Sequence, residues 1–122
     1  MPNILIVEDD AATAWALEQS LCDEGYAVTV ADTAEKALAH LKRHAFELVI
    51  TDLRLPRMGG LEFVKRIQAR KQPSSVIVVT AYGSEATLRQ LADQGVHASF
   101  PKPFQMDRLR KSVESALRVR AA

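Results

Sequence analysis

Four short runs of β-branched and aliphatic residues set the fold class of this chain. They are Ile4-Leu5-Ile6-Val7, Tyr26-Ala27-Val28-Thr29-Val30, Leu48-Val49-Ile50-Thr51 and Val76-Ile77-Val78-Val79-Thr80, with a weaker fifth at Ala98-Ser99-Phe100. Most are apolar at every position rather than at every second one. A strand with one wet face alternates; a strand covered on both faces does not. Between the runs lie segments of helical period. Ala14, Leu17 and Leu21 share one face, as do Ala34, Ala37, Leu38 and Leu41, then Leu61, Val64 and Ile67, then Leu88, Leu91 and Ala92, and finally Met106, Leu109, Val113 and Leu117. The alternation is β-α five times over. Parallel strands need crossover helices, and those helices cover both sheet faces, so the pattern predicts a small doubly wound α/β sheet.

Local signals mark several helix ends. Asp32, with Glu35 three residues on, reads as a cap-like start for the second helix. Ser84 reads as the N-cap of the fourth helix and Gly95 as its C-terminal stop. Asp10 is expected to cap the first helix. No linker, repeat or low-complexity tract interrupts the chain, so residues 1–122 are expected to form one domain, which buries roughly two-thirds of the surface its unfolded chain exposes.

Composition removes several function classes. The lone Cys22 excludes a disulfide framework, fits a reducing compartment, and is expected to be buried on its helix. One cysteine with the scattered His40, His44 and His97 leaves no zinc-finger spacing. No apolar run approaches the roughly 18 residues of a membrane helix, and Met1-Pro2-Asn3-Ile4 carries no basic region of a signal peptide. Trp15 lies off the apolar stripe of its helix and is expected to be partly exposed. The net charge of +1 hides a division: residues 1–61 carry ten Asp+Glu against five Lys+Arg, and residues 62–122 carry five against eleven.

In open α/β sheets ligands bind beyond the carboxyl ends of the strands, near the point where strand order reverses. The first run ends in Glu8-Asp9-Asp10, the third in Asp52, the fourth in Thr80, and the fifth runs into Pro101-Lys102-Pro103. Like charges about 4 Å apart cost on the order of 4 kcal/mol near a protein surface. Such a cluster therefore calls for a cation or for raised pKa values. An oxygen-only donor set favours Mg²⁺ or Mn²⁺. Lys102, stiffened between two prolines, suits an ion pair with a carboxylate or a phosphate. The Thr80 hydroxyl suits donation to a bound anion.

Taken together, Ile4–Asp10, Thr51–Gly60, Val78–Tyr82 and Lys102-Pro103-Phe104 resemble the receiver domain of bacterial two-component response regulators, over essentially the whole chain. The resemblance implies a flavodoxin-like (βα)5 sandwich with a five-stranded parallel sheet in the order 2-1-3-4-5. It implies that Asp52 accepts a phosphoryl group from a sensor histidine kinase or phosphotransfer protein. Asp9 would bind Mg²⁺ directly, Glu8 through water, and Asp52 and the backbone carbonyl of Arg54 would complete the metal site. Thr80 and Lys102 would hold the phosphoryl oxygens. Arg54 and Tyr82 would border the phosphoryl group and shield it from water. The domain would catalyse its own phosphorylation and dephosphorylation without being an enzyme otherwise. It would be cytoplasmic and would signal through the helix 4/strand 5/helix 5 surface to an output domain or downstream protein, with homodimerisation on activation as one route. Neither membrane contact nor direct nucleic-acid binding by this domain is expected.

The family usually places an aromatic three residues before this lysine, and here that residue is Ser99. Phe100 alternates to the opposite face and is expected in the core. Arg108, Arg110, Lys111, Arg118 and Arg120 form a basic stripe on the last helix, which is either a solvated face or a partner surface. The helix ends as the chain does, which fits a stand-alone receiver or one cut from a longer regulator. Two other readings use the same residues. A phosphorylation-independent interaction module draws on Ser99. An aspartyl-phosphate hydrolase would use Asp52 as nucleophile but needs a second acid at position 54, where Arg54 stands.

Overall fold

Successive side chains of a strand point to opposite faces, so each unbroken apolar run supplies two core surfaces at once. In a computed structural model describing residues 2–71, 73–81 and 83–121, the chain runs β1 (Asn3–Val7), α1 (Ala11–Asp23), β2 (Ala27–Ala31), α2 (Ala34–Arg43), β3 (Leu48–Thr51), α3 (Gly60–Gln68), β4 (Ser75–Thr80), α4 (Glu85–Asp93), β5 (Ala98–Pro101) and α5 (Met106–Ala121). The strands form one parallel sheet in the order β2-β1-β3-β4-β5. This is the doubly wound arrangement expected from the sequence.

Leu5, Val7, Val49, Val76 and Val78 face one core with α2 and α3 side chains such as Leu41, Phe63 and Ile67. Ile4, Ile6, Leu48, Ile50, Ile77 and Val79 face the other, against Leu17 and Leu21 of α1 and Leu109 and Val113 of α5. Each fully buried aliphatic side chain contributes about 1.5–3 kcal/mol, so the three central strands hold the layers together. The edge strands are only partly covered. In β5, Phe100 turns toward the core that α1 and α5 cover and Ser99 is exposed, as alternation requires.

Several local expectations are corrected. The cap of α2 is Thr33, whose hydroxyl accepts from Lys36 N–H at 3.1 Å; Asp32 instead pairs with the Lys36 ammonium at 2.9 Å. Cys22 is exposed, because it follows buried Leu21 by one residue and so lies about 100° further round the helix. Trp15, expected to be partly exposed, is 64% exposed. In α4 only Leu91 is buried, whereas Leu88 and Ala92 are exposed. Asp10 and Ser84 cap α1 and α4 as expected, and Gly95 follows α4 at φ +82°. Tyr82 and the side chain of Arg120 lie outside the described residues.

Gly60 opens α3 directly against the loop that leaves β3. Its N–H donates to the Leu53 carbonyl at 2.9 Å. A Cβ there would sit 2.4 Å from Leu53 Cα and 2.8 Å from the Asp52 carbonyl oxygen, whereas one on Gly59 would meet nothing within 4 Å. Gly60→Ala is therefore expected to lower stability by about 1–3 kcal/mol through overpacking against backbone, and Gly59→Ala by less than about 1 kcal/mol. Urea unfolding of the two variants checks this, and equal losses would contradict it.

Candidate functional site

The sheet order places the reversal between β1 and β3, where one chain continuation turns toward each face. Val7 and Thr51 are register partners at the ends of these strands. Each ladder then extends by one residue. Glu8 N–H donates to Ala31 O at 3.0 Å and Asp52 N–H to Val7 O at 3.1 Å. Thr51 Oγ1, buried, donates to the Asp52 carbonyl at 3.0 Å and braces the bend. Two carboxylates are thus delivered side by side by backbone pairing alone, and both are buried, Glu8 at 2% and Asp52 at 6% exposure.

Lys102 arrives from the far side of the sheet. Its N–H donates to Thr80 O at 2.9 Å, and the Lys102–Pro103 peptide is cis. Its Nζ lies 2.5 Å from Glu8 Oε1 and 2.8 Å from Asp52 Oδ2. The remaining carboxylate oxygens take backbone donors: Asp10 N–H reaches Glu8 Oε2 at 3.1 Å, and Arg54 N–H reaches Asp52 Oδ1 at 3.0 Å. Burial holds the Glu8 carboxyl above its ordinary range despite the hydrogen bonds from Lys102 and the Asp10 amide, and the nearby Asp52 charge adds to the rise. Burial alone would lower the Lys102 pKa, but its bonds to Asp52 and Glu8 outweigh that and raise it.

These residues line an open cavity of about 480 Å³, with exposed Asp9 and Arg54 at its rim. One carboxylate oxygen from each of Glu8, Asp9 and Asp52 lies within 4.8 Å of the other two. Asp10 also borders the cavity, but its carboxylate is committed to the Thr13 N–H and hydroxyl, which hold it below the usual carboxylate range. The structure thus brings Glu8, Asp9, Asp52, Arg54 and Lys102 together. Thr80 stands apart. It is buried and lines a neighbouring cleft of about 220 Å³ with Ser99 and Leu88. Sequence reasoning missed the close approach of Gly60 to the Asp52–Leu53 backbone, for which the only sequence signal was a Gly-Gly pair at a helix start.

A doubly wound parallel sheet with an acidic, lysine-bridged pocket at its reversal point defines a flavodoxin-like α/β protein with three carboxylates placed where they could hold a cation. Residues 4–114 match the response regulator receiver domain family, and the chain belongs to it. It is 33% identical to the transcriptional regulatory protein FixJ of Bradyrhizobium diazoefficiens, over 95% of this chain and 57% of that protein. It is 34% identical to the transcriptional regulatory protein GlrR of Escherichia coli, over 94% of this chain and 26% of that protein. The CheY-like receiver domain protein of Methanospirillum hungatei superposes with a TM-score of 0.91 at 32% identity, covering 96% of this chain and 94% of that one. The chain therefore spans about half or less of the length of these curated relatives. It is a receiver domain of the two-component response regulators, a phosphoacceptor signalling module.

The raised Glu8 pKa has a consequence for stability. The native state holds the Glu8 proton more tightly than the unfolded chain, whose value is near 4.5. Stability therefore falls as pH rises from there through the native value. Glu8→Gln has no proton to release and keeps an oxygen acceptor for Lys102. In metal-free buffer its Tm relative to the parent is expected to increase between about pH 4 and about pH 7. A relative Tm that decreases over that interval would contradict the assignment.

Proposed function

We propose that residues 1–122 work as one receiver domain in which Asp52 is the phosphoacceptor. The observation that carries this reading is the placement of the Asp52 carboxylate against the Lys102 ammonium beside two further carboxylates. Glu8, Asp9 and Asp52, with the Arg54 carbonyl, would hold Mg²⁺, which fits the all-oxygen donor set. Bound there, the ion supplies neutralising charge for the phosphoryl oxygens.

The protein's own residues position and neutralise, which is most of what phosphoryl transfer asks of them. An Asp52 carboxylate oxygen attacks phosphorus in line with a phosphohistidine N–P bond. The O–P bond forms as the N–P bond breaks, and the imidazole leaves with its electron pair. Lys102 keeps its place and exchanges a carboxylate oxygen for phosphoryl oxygens. The Thr80 hydroxyl, from the adjoining cleft, donates to another. Hydrolysis of the acyl phosphate on the same residues resets the domain, with Arg54 at the cavity rim limiting access of water.

The added charge of about −1.5 to −2 then biases the α4/β5/α5 surface toward an output domain, a downstream protein or a second receiver. The phosphoryl donor is a sensor histidine kinase or phosphotransfer protein. The setting is the cytoplasm, without membrane insertion or direct nucleic-acid contact by this domain. Among the described residues, no helix is long and apolar enough to cross a membrane.

Incubation with acetyl phosphate and Mg²⁺ is expected to add one phosphoryl group, read by intact mass. Asp52→Asn abolishes the addition and chelation of the metal suppresses it. A phosphoryl group on Asp52→Asn would overturn the assignment.

A further inference from the structure

The C-terminal turns of α2 and α3 carry cations. Lys42 and Arg43 close α2, Lys65 and Arg66 close α3, and Arg70 and Lys71 follow. Cations at helix C-termini offset the helix dipole, which accounts for their presence one by one. It does not account for the groove they frame. Leu38 and Leu41 form an apolar floor, and Lys42, Arg66 and Arg70 form the walls of a cavity of about 260 Å³.

Arg70 is held in place, with one guanidinium nitrogen donating to the Leu41 carbonyl at 2.7 Å. That bond uses one of the five N–H donors of an arginine and leaves others for a ligand. The local compensation is slight. Glu62 lies 4.0 Å from Arg66 on an exposed surface, and among the described residues Lys42 and Arg70 form no ion pair with an acid. The sequence places no Asp or Glu between Glu35 and Glu47 or between Glu62 and Glu85.

We propose that this groove is a docking site for an acidic peptide segment of a partner protein, anchored by one apolar side chain. The charge calls for an anion, and the leucine floor calls for an apolar group within it. The volume lies just below the roughly 300–1,000 Å³ of small-molecule pockets and suits a single side chain flanked by carboxylates. A nucleic-acid backbone fits less well, because phosphates have no use for an apolar floor and, among the described residues, no aromatic side chain lines the groove for base stacking. The groove is lined by α2 and α3, whereas the Asp52 pocket lies beyond the carboxyl ends of the strands. Docking there therefore does not depend on the phosphoacceptor reading.

The test is an amide-resolved NMR titration with acetyl-Glu-Glu-Leu-Glu-Glu-amide at low salt. Saturable shifts are expected on Leu38, Leu41, Lys42, Arg66 and Arg70. Affinity is expected to fall roughly tenfold in the Lys42→Glu/Arg66→Glu variant, whose acyl-phosphate formation is unchanged. Substituting Ser for the central Leu of the peptide is expected to weaken binding as well. The proposal is overturned if no saturable shifts appear at these residues, if the Ser peptide binds as well as the Leu peptide, or if a single-stranded oligonucleotide binds the groove more tightly than the peptide.

Discussion

The Lys102 ammonium is the interaction on which the site depends. Two carboxylates buried at the ends of adjacent strands cannot both carry charge without a cation close by. Backbone pairing of β1 with β3 fixes where Glu8 and Asp52 stand, so the protein cannot relieve their repulsion by moving them apart. A cation from another part of the chain has to come to them. It comes from beyond β5, across 94 residues of sequence from Glu8 and 50 from Asp52. The ends of β1, β3 and β5 are thereby tied through one nitrogen atom.

Much of this was legible in the sequence, for physical reasons that differ from element to element. The central strands announced themselves because burial on both faces favours an apolar residue at nearly every position, as in Leu48-Val49-Ile50, while the one polar residue of that strand, Thr51, satisfies its hydroxyl on the Asp52 carbonyl. Edge strands are held to a weaker standard, and β2 with its part-exposed Thr29 began one residue later than its apolar run suggested. Caps were legible where one side chain alone could serve, as with Ser84. They were misread where neighbours competed, as with Asp32 and Thr33. Helical faces read by spacing alone overcounted α4, because period tells which residues share a face and not how far the sheet beneath extends. At the site, the acids and Lys102 were found from strand ends. What spacing could not give was the partition between two cavities. Glu8, Asp9, Asp52, Arg54 and Lys102 share one, while Thr80 opens into the other with Ser99.

The two charged halves of the sequence map onto different tasks. The acidic half supplies Glu8, Asp9 and Asp52, and the basic half supplies the ammonium that makes their burial tolerable. The division is incomplete, since Lys42 belongs to the acidic half yet stands with Arg66 and Arg70 of the basic half in the groove between α2 and α3. A net charge near zero thus conceals an acidic cluster and a basic one, each lining its own cavity.

The helices are not fastened equally. α3 buries four residues and meets the β3 loop backbone-to-backbone at Gly60, so it cannot shift without dragging the peptide that carries Asp52. α4 buries Leu91 only, and its C-terminal end is tied to α3 by Gln68 Nε2, which donates to the Gln94 carbonyl at 2.9 Å. Freeing one leucine costs about 2 kcal/mol, which is within the range of a single charge-assisted hydrogen bond. The molecule therefore has one helix that is heavily buried and one that is lightly buried on the same sheet.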